Sequence, residues 1–251
     1  MIIGIDLHGT MLNEKWIVEK RLVMPLTDAI DRIKTFSEIG LCTGNDLTFV
    51  RKHVPEKIIE RMDFFVLETG CVISDLKNEI IVVKEKKRIE ACKELEKYVR
   101  GRLDIDFTAR RIATSSFFTD NPKKLCEEIK SIIIEKKLDK HIFAVYSNVA
   151  VDVIPKNYNK FSGLKCIAKR RKIIGIADSM NDVHLLTDAD YGFIPKNSSK
   201  ELEKYLKNSG KDVVNIKNAT LKRGQIIKAS KKSTEGVIEV LNFLKEKLVA
   251  V

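Results

Sequence analysis

The chain has 251 residues, of which 44% are hydrophobic and 32% charged, and its formal net charge is +11. At about 100–200 residues per domain, this length suits one large domain or a core carrying a smaller inserted one. No apolar run approaches the roughly 20 residues of a membrane helix. The opening run, Met1-Ile2-Ile3-Gly4-Ile5, ends at Asp6 and is too short for a signal peptide. A cytoplasmic protein without a membrane partner is therefore expected. The 5 cysteines are odd in number, widely spaced and free of any C-x-x-C, so buried reduced thiols are expected rather than disulfides or zinc. The positive charge would attract an anion: a phosphorylated metabolite, a nucleotide or RNA. The lysine-rich stretches 84–88 and 228–232 lack interleaved aromatics and read as solvated surface. No known nucleic-acid-binding motif accompanies them, so nucleic acid is not the expected partner.

In chain order, residues 2–5 form a short β-branched run that predicts a buried strand presenting Asp6 at its end. Residues 25–39 predict a helix that opens with Pro25, carries a stripe of Ile30, Ile33, Phe36 and Ile39, and stops at Gly40. Leu41-Cys42 leads into the turn chemistry of Thr43-Gly44-Asn45-Asp46. A short helix over 55–62 and a strand over 64–67 follow. Residues 71–73 and 79–83 flank a plausible hairpin turn at 75–78. Helices are predicted over 88–99 and 122–137, and strand-like residues over 105–119, 142–146 and 149–154, the last two around Ser147-Asn148. From residue 159 strand and helix alternate again: helices over 161–169, 181–186, 198–206 and 234–248, strands over 172–177, 191–194 and 213–214. This pattern predicts an α/β fold, a parallel-sheet core of 1–74 and 158–251 interrupted by an inserted α+β domain of 75–157. Ligands bind outside the carboxyl ends of strands in such sheets, and Asp6, Thr43 and Asp178 all fall at such ends.

A carboxylate at a strand end, as in Asp6-Leu7-His8-Gly9-Thr10, can serve as nucleophile, metal ligand or both. Asp178-Ser179-Met180-Asn181-Asp182 crowds two carboxylates and an amide into one turn. Such crowding is costly without a cation, and a few hard oxygen ligands suit Mg²⁺. Helix capping is the plainer use of Asp178 or Ser179. Thr43-Gly44 offers a hydroxyl and free N–H groups to phosphate oxygens, although Thr-Gly also serves as a simple turn. Lys160 lies just before a helix after Pro155 and by itself reads as a surface lysine. Arg110 and Arg111 are candidates for an anionic leaving group or else face solvent. His53, His141 and His184 show no metal spacing.

Together these segments resemble the haloacid dehalogenase superfamily. Asp6-Leu7-His8-Gly9-Thr10 is similar to its D-x-D-G-T motif, Thr43-Gly44 to the second motif, Lys160 to the lysine of the third, and Gly175-Ile176-Ala177-Asp178-Ser179-Met180-Asn181-Asp182 to the fourth, G-D-S-x-N-D. Glu68-Thr69-Gly70-Cys71 resembles the E-N-G-A segment where the larger α/β caps begin, and the 191–197 stretch a segment ending in Asn-Ala. The insertion lies where the type IIB cap lies in the Cof-like and the sucrose-phosphate or mannosyl-phosphoglycerate phosphatase groups. The resemblance implies a Rossmann-like core and a Mg²⁺-dependent phosphatase acting on a small phosphorylated metabolite, a sugar phosphate or phospho-acid. It makes Asp6 the nucleophile that forms an aspartyl phosphate. It gives the metal to Asp6, the His8 main-chain carbonyl and Asp178, with Asp182 orienting Lys160 or a metal-bound water. Thr43, Gly44 and Lys160 would bind phosphoryl oxygens, with Asn181 nearby.

The chain departs from that pattern where His8 replaces the second aspartate, the residue that protonates the leaving group and then activates water. Imidazole can do this work near neutral pH, and its charged form beside a cation is disfavoured. The alternatives are slow turnover or transfer to another acceptor, as in a phosphotransferase, and a silent member that binds an anion or nucleic acid. Ala177 replaces a glycine, Thr69 an asparagine, and Asn45 stands where arginine is frequent.

Overall fold

The computed structural model describes residues 1–147 and 149–249; Asn148, in the predicted turn between two strands, lies outside them. The elements run β1 (Ile2–Asp6), α1 (Lys20–Ile33), β2 (Glu38–Cys42), α2 (Leu47–His53), α3 (Glu56–Ile59), β3 (Phe64–Leu67), β4 (Val72–Ser74), β5 (Glu79–Ile81) and α4 (Lys86–Val99). They continue with β6 (Phe107–Ala109), β7 (Ser115–Phe118), α5 (Pro122–Glu135), β8 (Ile142–Tyr146), β9 (Ala150–Pro155), α6 (Lys160–Ala168) and β10 (Ile173–Ile176). The chain closes with α7 (Val183–Thr187), β11 (Tyr191–Ile194), α8 (Lys200–Asn208), β12 (Val213–Asn215), β13 (Ile226–Lys228) and α9 (Ser233–Val249).

One sheet has nine strands in the order β12-β13-β11-β10-β1-β2-β3-β4-β5. Pairing is parallel from β12 to β3, and antiparallel where β4 and β5 extend the edge. Every residue of β1, β3 and β10 is buried, as a parallel strand covered by helices on both faces requires. A row of glycines crosses four neighbouring strands, with Gly4 in register with Gly40 and Gly175, and Gly175 with Gly192. This row lets the helices sit close to the sheet. A side chain at Gly4 would collide with Leu164 of α6, and one at Gly175 with the backbone of Leu185 in α7. The helices that carry the site residues are thereby drawn onto the central strands.

The second sheet has four antiparallel strands in the order β6-β7-β9-β8 and forms a cap. Leu95 and Val99 of α4 pack with Leu125, Ile129 and Ile133 of α5 against Phe117, Val151 and Val153 of the sheet. Successive side chains of a strand point to opposite faces. Ser116, Asp152 and Val145, paired across β7, β9 and β8, therefore lie on the face away from these helices. Phe143, Val145 and Ile154 on that face pack against the core cluster of the large sheet, so the cap turns this face toward the core.

Several expected elements shift. The helix predicted over 25–39 begins at Lys20 and ends at Ile33, with Pro25 inside it. Its buried stripe is Leu22, Leu26, Ala29, Ile30 and Ile33, while Phe36 is 41% exposed in the following turn. Ile39 and Gly40 belong to β2, because Gly40 lies where Phe64 packs and a helix stop is not its role. Helix α2 was not expected. It is started by Asp46, whose carboxylate accepts from the Phe49 N–H at 2.8 Å. Strand β13 was not expected either, because its Ile226-Ile227 pair borders lysines that read as loop; it lies between β12 and β11. Among the described residues no helix is long and apolar enough to cross a membrane.

The Gly175→Ala variant is expected to lose about 1–3 kcal/mol, the usual cost of overpacking, because the added methyl meets the Leu185 backbone and not a flexible side-chain end. Urea unfolding should show a lower midpoint with an unchanged slope.

Candidate active site

The site forms where β10, β1 and β2 lie side by side and release their chains at the same edge of the sheet. Asp6 is the last residue of β1, Thr43 follows β2, and Asp178 stands two residues beyond β10. Lys160 is the first residue of α6, whose start is fixed by a reciprocal cap. Asn159 Oδ1 accepts from the Ser162 N–H, and Ser162 Oγ accepts from the Asn159 N–H, both at 2.9 Å. Gly70, at φ +92°, allows the turn after β3 to touch this helix start, since a side chain there would overlap the Asn159 carbonyl.

Lys160 Nζ lies 2.6 Å from Asp6 Oδ1 and 2.5 Å from Asp182 Oδ1, and it is only 3% exposed. Asp6, Asp178 and Asp182 each offer a carboxylate oxygen, all within 4.8 Å of one another. Thr10 Oγ1 donates to Asp178 Oδ1 at 3.1 Å. Gly9, at φ +75°, makes the turn that brings these together, and a side chain there would fall on the Asp178 carboxylate. Asn197 Nδ2 holds the same turn by donating to the Gly9 carbonyl at 2.7 Å.

The electrostatics follow from crowding. Burial, then Asp6 and Asp182, push the Asp178 carboxyl well above the usual carboxylate range. Burial also raises Asp182, against the pull of Lys160. Burial lowers Lys160, but Asp182 and Asp6 outweigh it and hold the ammonium above its ordinary value. With all three carboxylates ionised, one ammonium leaves two negative charges in excess in a buried pocket. Among the described residues the oxygens of Asp182 make no hydrogen bond of good geometry, although Lys160 Nζ is close to one of them. The ion pair is the interaction that counts there, and it leaves oxygen lone pairs free. Hard oxygen donors with a two-charge deficit fit Mg²⁺.

The expected residues Asp6, Lys160, Asp178 and Asp182 thus come together. Thr43 Oγ1 accepts from the N–H and the side-chain amide of Asn45, both at 3.2 Å, at the start of the Gly44 loop. Asn181 is half-buried and accepts from Ser179 Oγ within its own turn. The ring of His8 stands edge-on to Trp16 and Phe49, with centroids 5.1 Å away in both cases. Burial lowers its pKa, opposed by Asp6 and aided by Lys160 and His53. Among the described residues His8 Nε2 is buried without a hydrogen-bond partner. His53 stacks on Phe49 at 4.1 Å, and His184 pairs with Asp188 on an exposed helix face.

Sequence reasoning missed a buried polar seam between core and cap. Arg111 is neither on a strand nor facing solvent. It lies in the β6–β7 connection and is 8% exposed. Its Nη1 donates to Asp46 Oδ2 at 3.1 Å and its Nη2 to Asn45 Oδ1 at 2.9 Å. Arg110 beside it is exposed. Glu68 accepts from the N–H groups of Ile112 at 2.8 Å, Ala113 at 2.8 Å and Thr114 at 3.0 Å, and from the Thr114 hydroxyl at 3.1 Å. The signal available for Glu68 was a buried carboxylate just after an apolar strand. Nothing in the sequence pairs Arg111 with residues 45 and 46. Asp152 accepts from Ser116 Oγ at 2.5 Å, and a side chain on Gly44 would come within 3.5 Å of its Oδ2. A cap carboxyl, its pKa raised by burial, therefore overhangs the Thr43-Gly44 loop.

Residues 103–219 match the family model of haloacid dehalogenase-like hydrolases. That stretch carries Lys160, Asp178 and Asp182, and the fold brings Asp6 and Thr43 to them. No curated protein matches the chain in sequence. Solved structures share its fold at low identity. Protein 0175 of Thermoplasma acidophilum superposes with a TM-score of 0.69 at 13% identity, covering 97% of this chain and 98% of that one. The sucrose-phosphatase of Synechocystis sp. PCC6803, solved with sucrose and phosphate, gives 0.66 at 15%, covering 97% of each chain. A haloacid dehalogenase-like hydrolase of Bacteroides thetaiotaomicron gives 0.66 at 14%, covering 97% and 98%. The chain thus shares with these structures a fold of a parallel-sheet core and a small antiparallel cap, and its residues 103–219 are similar to the haloacid dehalogenase-like hydrolases.

The raised carboxyls predict a sign. A group that holds its proton more tightly when folded contributes stability below its unfolded pKa and loses it as pH rises toward the folded one. For Asp178 and Asp182 that interval opens at 3.8 and runs upward. The Mg²⁺-induced gain in Tm is expected to grow between about pH 5 and pH 8, as binding takes only ionised carboxylates. Thermal melts with and without Mg²⁺ at both pH values measure this, and a gain that shrinks with pH would contradict it.

Proposed function

We propose that the chain is a Mg²⁺-dependent phosphatase of a small phosphorylated metabolite, in the sugar-phosphate or phospho-acid class, with Asp6 as nucleophile. The observation that carries this reading is the buried Lys160 ammonium held between Asp6 and Asp182 while Asp178 completes a tight carboxylate group. A plain structural ion pair needs one carboxylate, and here there are three. The fold neighbours support the substrate class, since they include the sucrose-phosphatase and a trehalose-6-phosphate phosphatase related protein.

Phosphoryl transfer needs in-line positioning and charge neutralisation more than covalent help from the protein. Asp6, Asp178 and the main-chain carbonyl of His8 would hold Mg²⁺, with Asp182 beside them, and the ion would neutralise charge on the transferring group. Lys160, the Thr43 hydroxyl and the Gly44 N–H receive the non-bridging oxygens. An Asp6 oxygen attacks phosphorus, the ester P–O bond breaks, and its electron pair leaves with the departing oxygen. Water then splits the aspartyl phosphate and restores Asp6. His8 stands at the position of the acid/base aspartate, and its imidazole would take over that residue's proton transfers. Asp182 keeps Lys160 charged and directed at Asp6. The cap covers the pocket and contributes Asp152 to its wall.

Asp6→Asn is expected to lose about three decades in kcat, roughly 4 kcal/mol of barrier. Mg²⁺-dependent phosphate release from p-nitrophenyl phosphate is the measurement. A variant as fast as wild type would remove Asp6 from the nucleophile's role.

A further inference from the structure

Two polar atoms above the Thr43-Gly44 loop are left unused by the chemistry described so far. The first is the Thr69 hydroxyl. Thr69 stands two residues beyond β3 and is 6% exposed, yet its Oγ1 makes no hydrogen bond among the described residues. Its backbone lies at φ 55° and ψ 35°, in the left-handed region that a β-branched side chain rarely enters. The Thr69 N–H donates to the Thr43 carbonyl at 3.0 Å, which ties this conformation to the loop. Strained backbone of this kind persists only where its surroundings over-determine it, and it clusters at ligand sites. The second atom is Oδ2 of Asp152 in the cap. Ser116 Oγ donates to the other oxygen, Oδ1, at 2.5 Å, and Oδ2 makes no hydrogen bond among the described residues. The two atoms converge over Gly44. A side chain there would begin 3.3 Å from Thr69 Oγ1 and 3.5 Å from Asp152 Oδ2.

We propose that Thr69 Oγ1 and Asp152 Oδ2 form a subsite for a hydroxyl vicinal to the ester oxygen of the leaving group, so that the enzyme takes phosphates of neutral polyols, sugars among them, ahead of phospho-acids. This rests on the phosphatase reading, which gives the Gly44 N–H to the phosphoryl group, and it narrows the substrate class. A hydroxyl can donate to Asp152 and accept from Thr69 at once. It suits either form of the Asp152 carboxyl, since it donates to the ionised group and accepts from the acid. A substrate carboxylate meets no free cation on this wall. Asp152 is the only charged residue on the core-facing side of the four cap strands. Arg111 is committed to Asn45 and Asp46, and Lys160 to Asp6 and Asp182. An ester without the hydroxyl leaves the two protein oxygens unpaired against it, and that is the basis of selection.

The test uses ethyl phosphate, 2-hydroxyethyl phosphate and phosphoglycolate, which differ only at the second carbon. With Mg²⁺, kcat/KM for the hydroxyethyl ester should exceed that of each of the others by about tenfold or more, the scale of a hydrogen bond to a charged group. Thr69→Val and Asp152→Ala should each bring the ethyl and hydroxyethyl esters to within about threefold of one another. A folding defect alone would lower both esters and leave their ratio. Equal wild-type rates for these two esters, or a ratio unchanged in both variants, overturns the subsite. A preference for phosphoglycolate overturns it too, and loss of that preference in Arg110→Ala would hand the acid group to the exposed arginine. A second arm measures Kd by calorimetry in Asp6→Asn, where the same order and its loss in the Thr69→Val double variant are expected. If p-nitrophenyl phosphate is not hydrolysed by wild type while that order holds, the phosphatase reading falls and the subsite stands. If it is hydrolysed and the hydroxyl brings no advantage, the subsite falls and the phosphatase reading stands. Failure of all three esters to bind sinks both.

Discussion

Three carboxylates confined within 4.8 Å in a buried pocket make a charge problem that the rest of the molecule is arranged around. In water such groups would drift apart. Here Asp6 is fixed by the central strand, Asp178 and Asp182 by the turn after its neighbour, and Lys160 by a capped helix start. Lys160 offsets part of the charge and is buried in doing so, which makes it costly to remove. Deleting one partner of a buried pair leaves an uncompensated charge, commonly about 3–5 kcal/mol. The remaining deficit is what a divalent ion of hard-oxygen preference would satisfy. The glycine row beneath the site serves the same end, since it lets α6 and α7 approach the sheet closely enough for their terminal residues to meet at the strand ends.

The cap joins this pocket through polar contacts as well as through apolar packing. Glu68 accepts from three successive backbone N–H groups of one cap loop, and Arg111 from that loop reaches back to Asn45 and Asp46. Buried polar groups of this kind hold one geometry, because a small displacement leaves several of them unpaired. They also place cap residues within one or two hydrogen bonds of the Thr43-Gly44 loop. The fold that results is shared with solved structures at 13–15% identity, so the architecture survives very different surfaces.

Much of the core was legible. The apolar runs ending in Asp6, Cys42 and Ala177 read as strands because parallel strands are buried on both faces and carry few polar residues. The α4 and α5 helices read from their stripes; the cap that Asn121 supplies to α5 comes from the structure. The errors share a cause. Gly40 looked like a helix stop but is a strand glycine required by Phe64, and no local pattern distinguishes the two roles. Helix α2 is short and β13 has three residues, so neither builds enough periodicity to stand out.

The sequence by itself determined the reactive residue types and their order along the chain, because strand ends, turns and helix starts are local features. It also carried the departure at His8, which is a matter of identity and not of place. Only the tertiary structure decided what touches what. The pairing of Lys160 with Asp6 spans 154 positions and that of Arg111 with Asn45 spans 66. Contacts so distant depend on how sheets and helices stack, and a side chain's own neighbourhood in sequence holds no record of them. For the same reason Arg111 read as a candidate for an anionic leaving group or else a solvent-facing cation, while the folded chain buries it against Asn45 and Asp46.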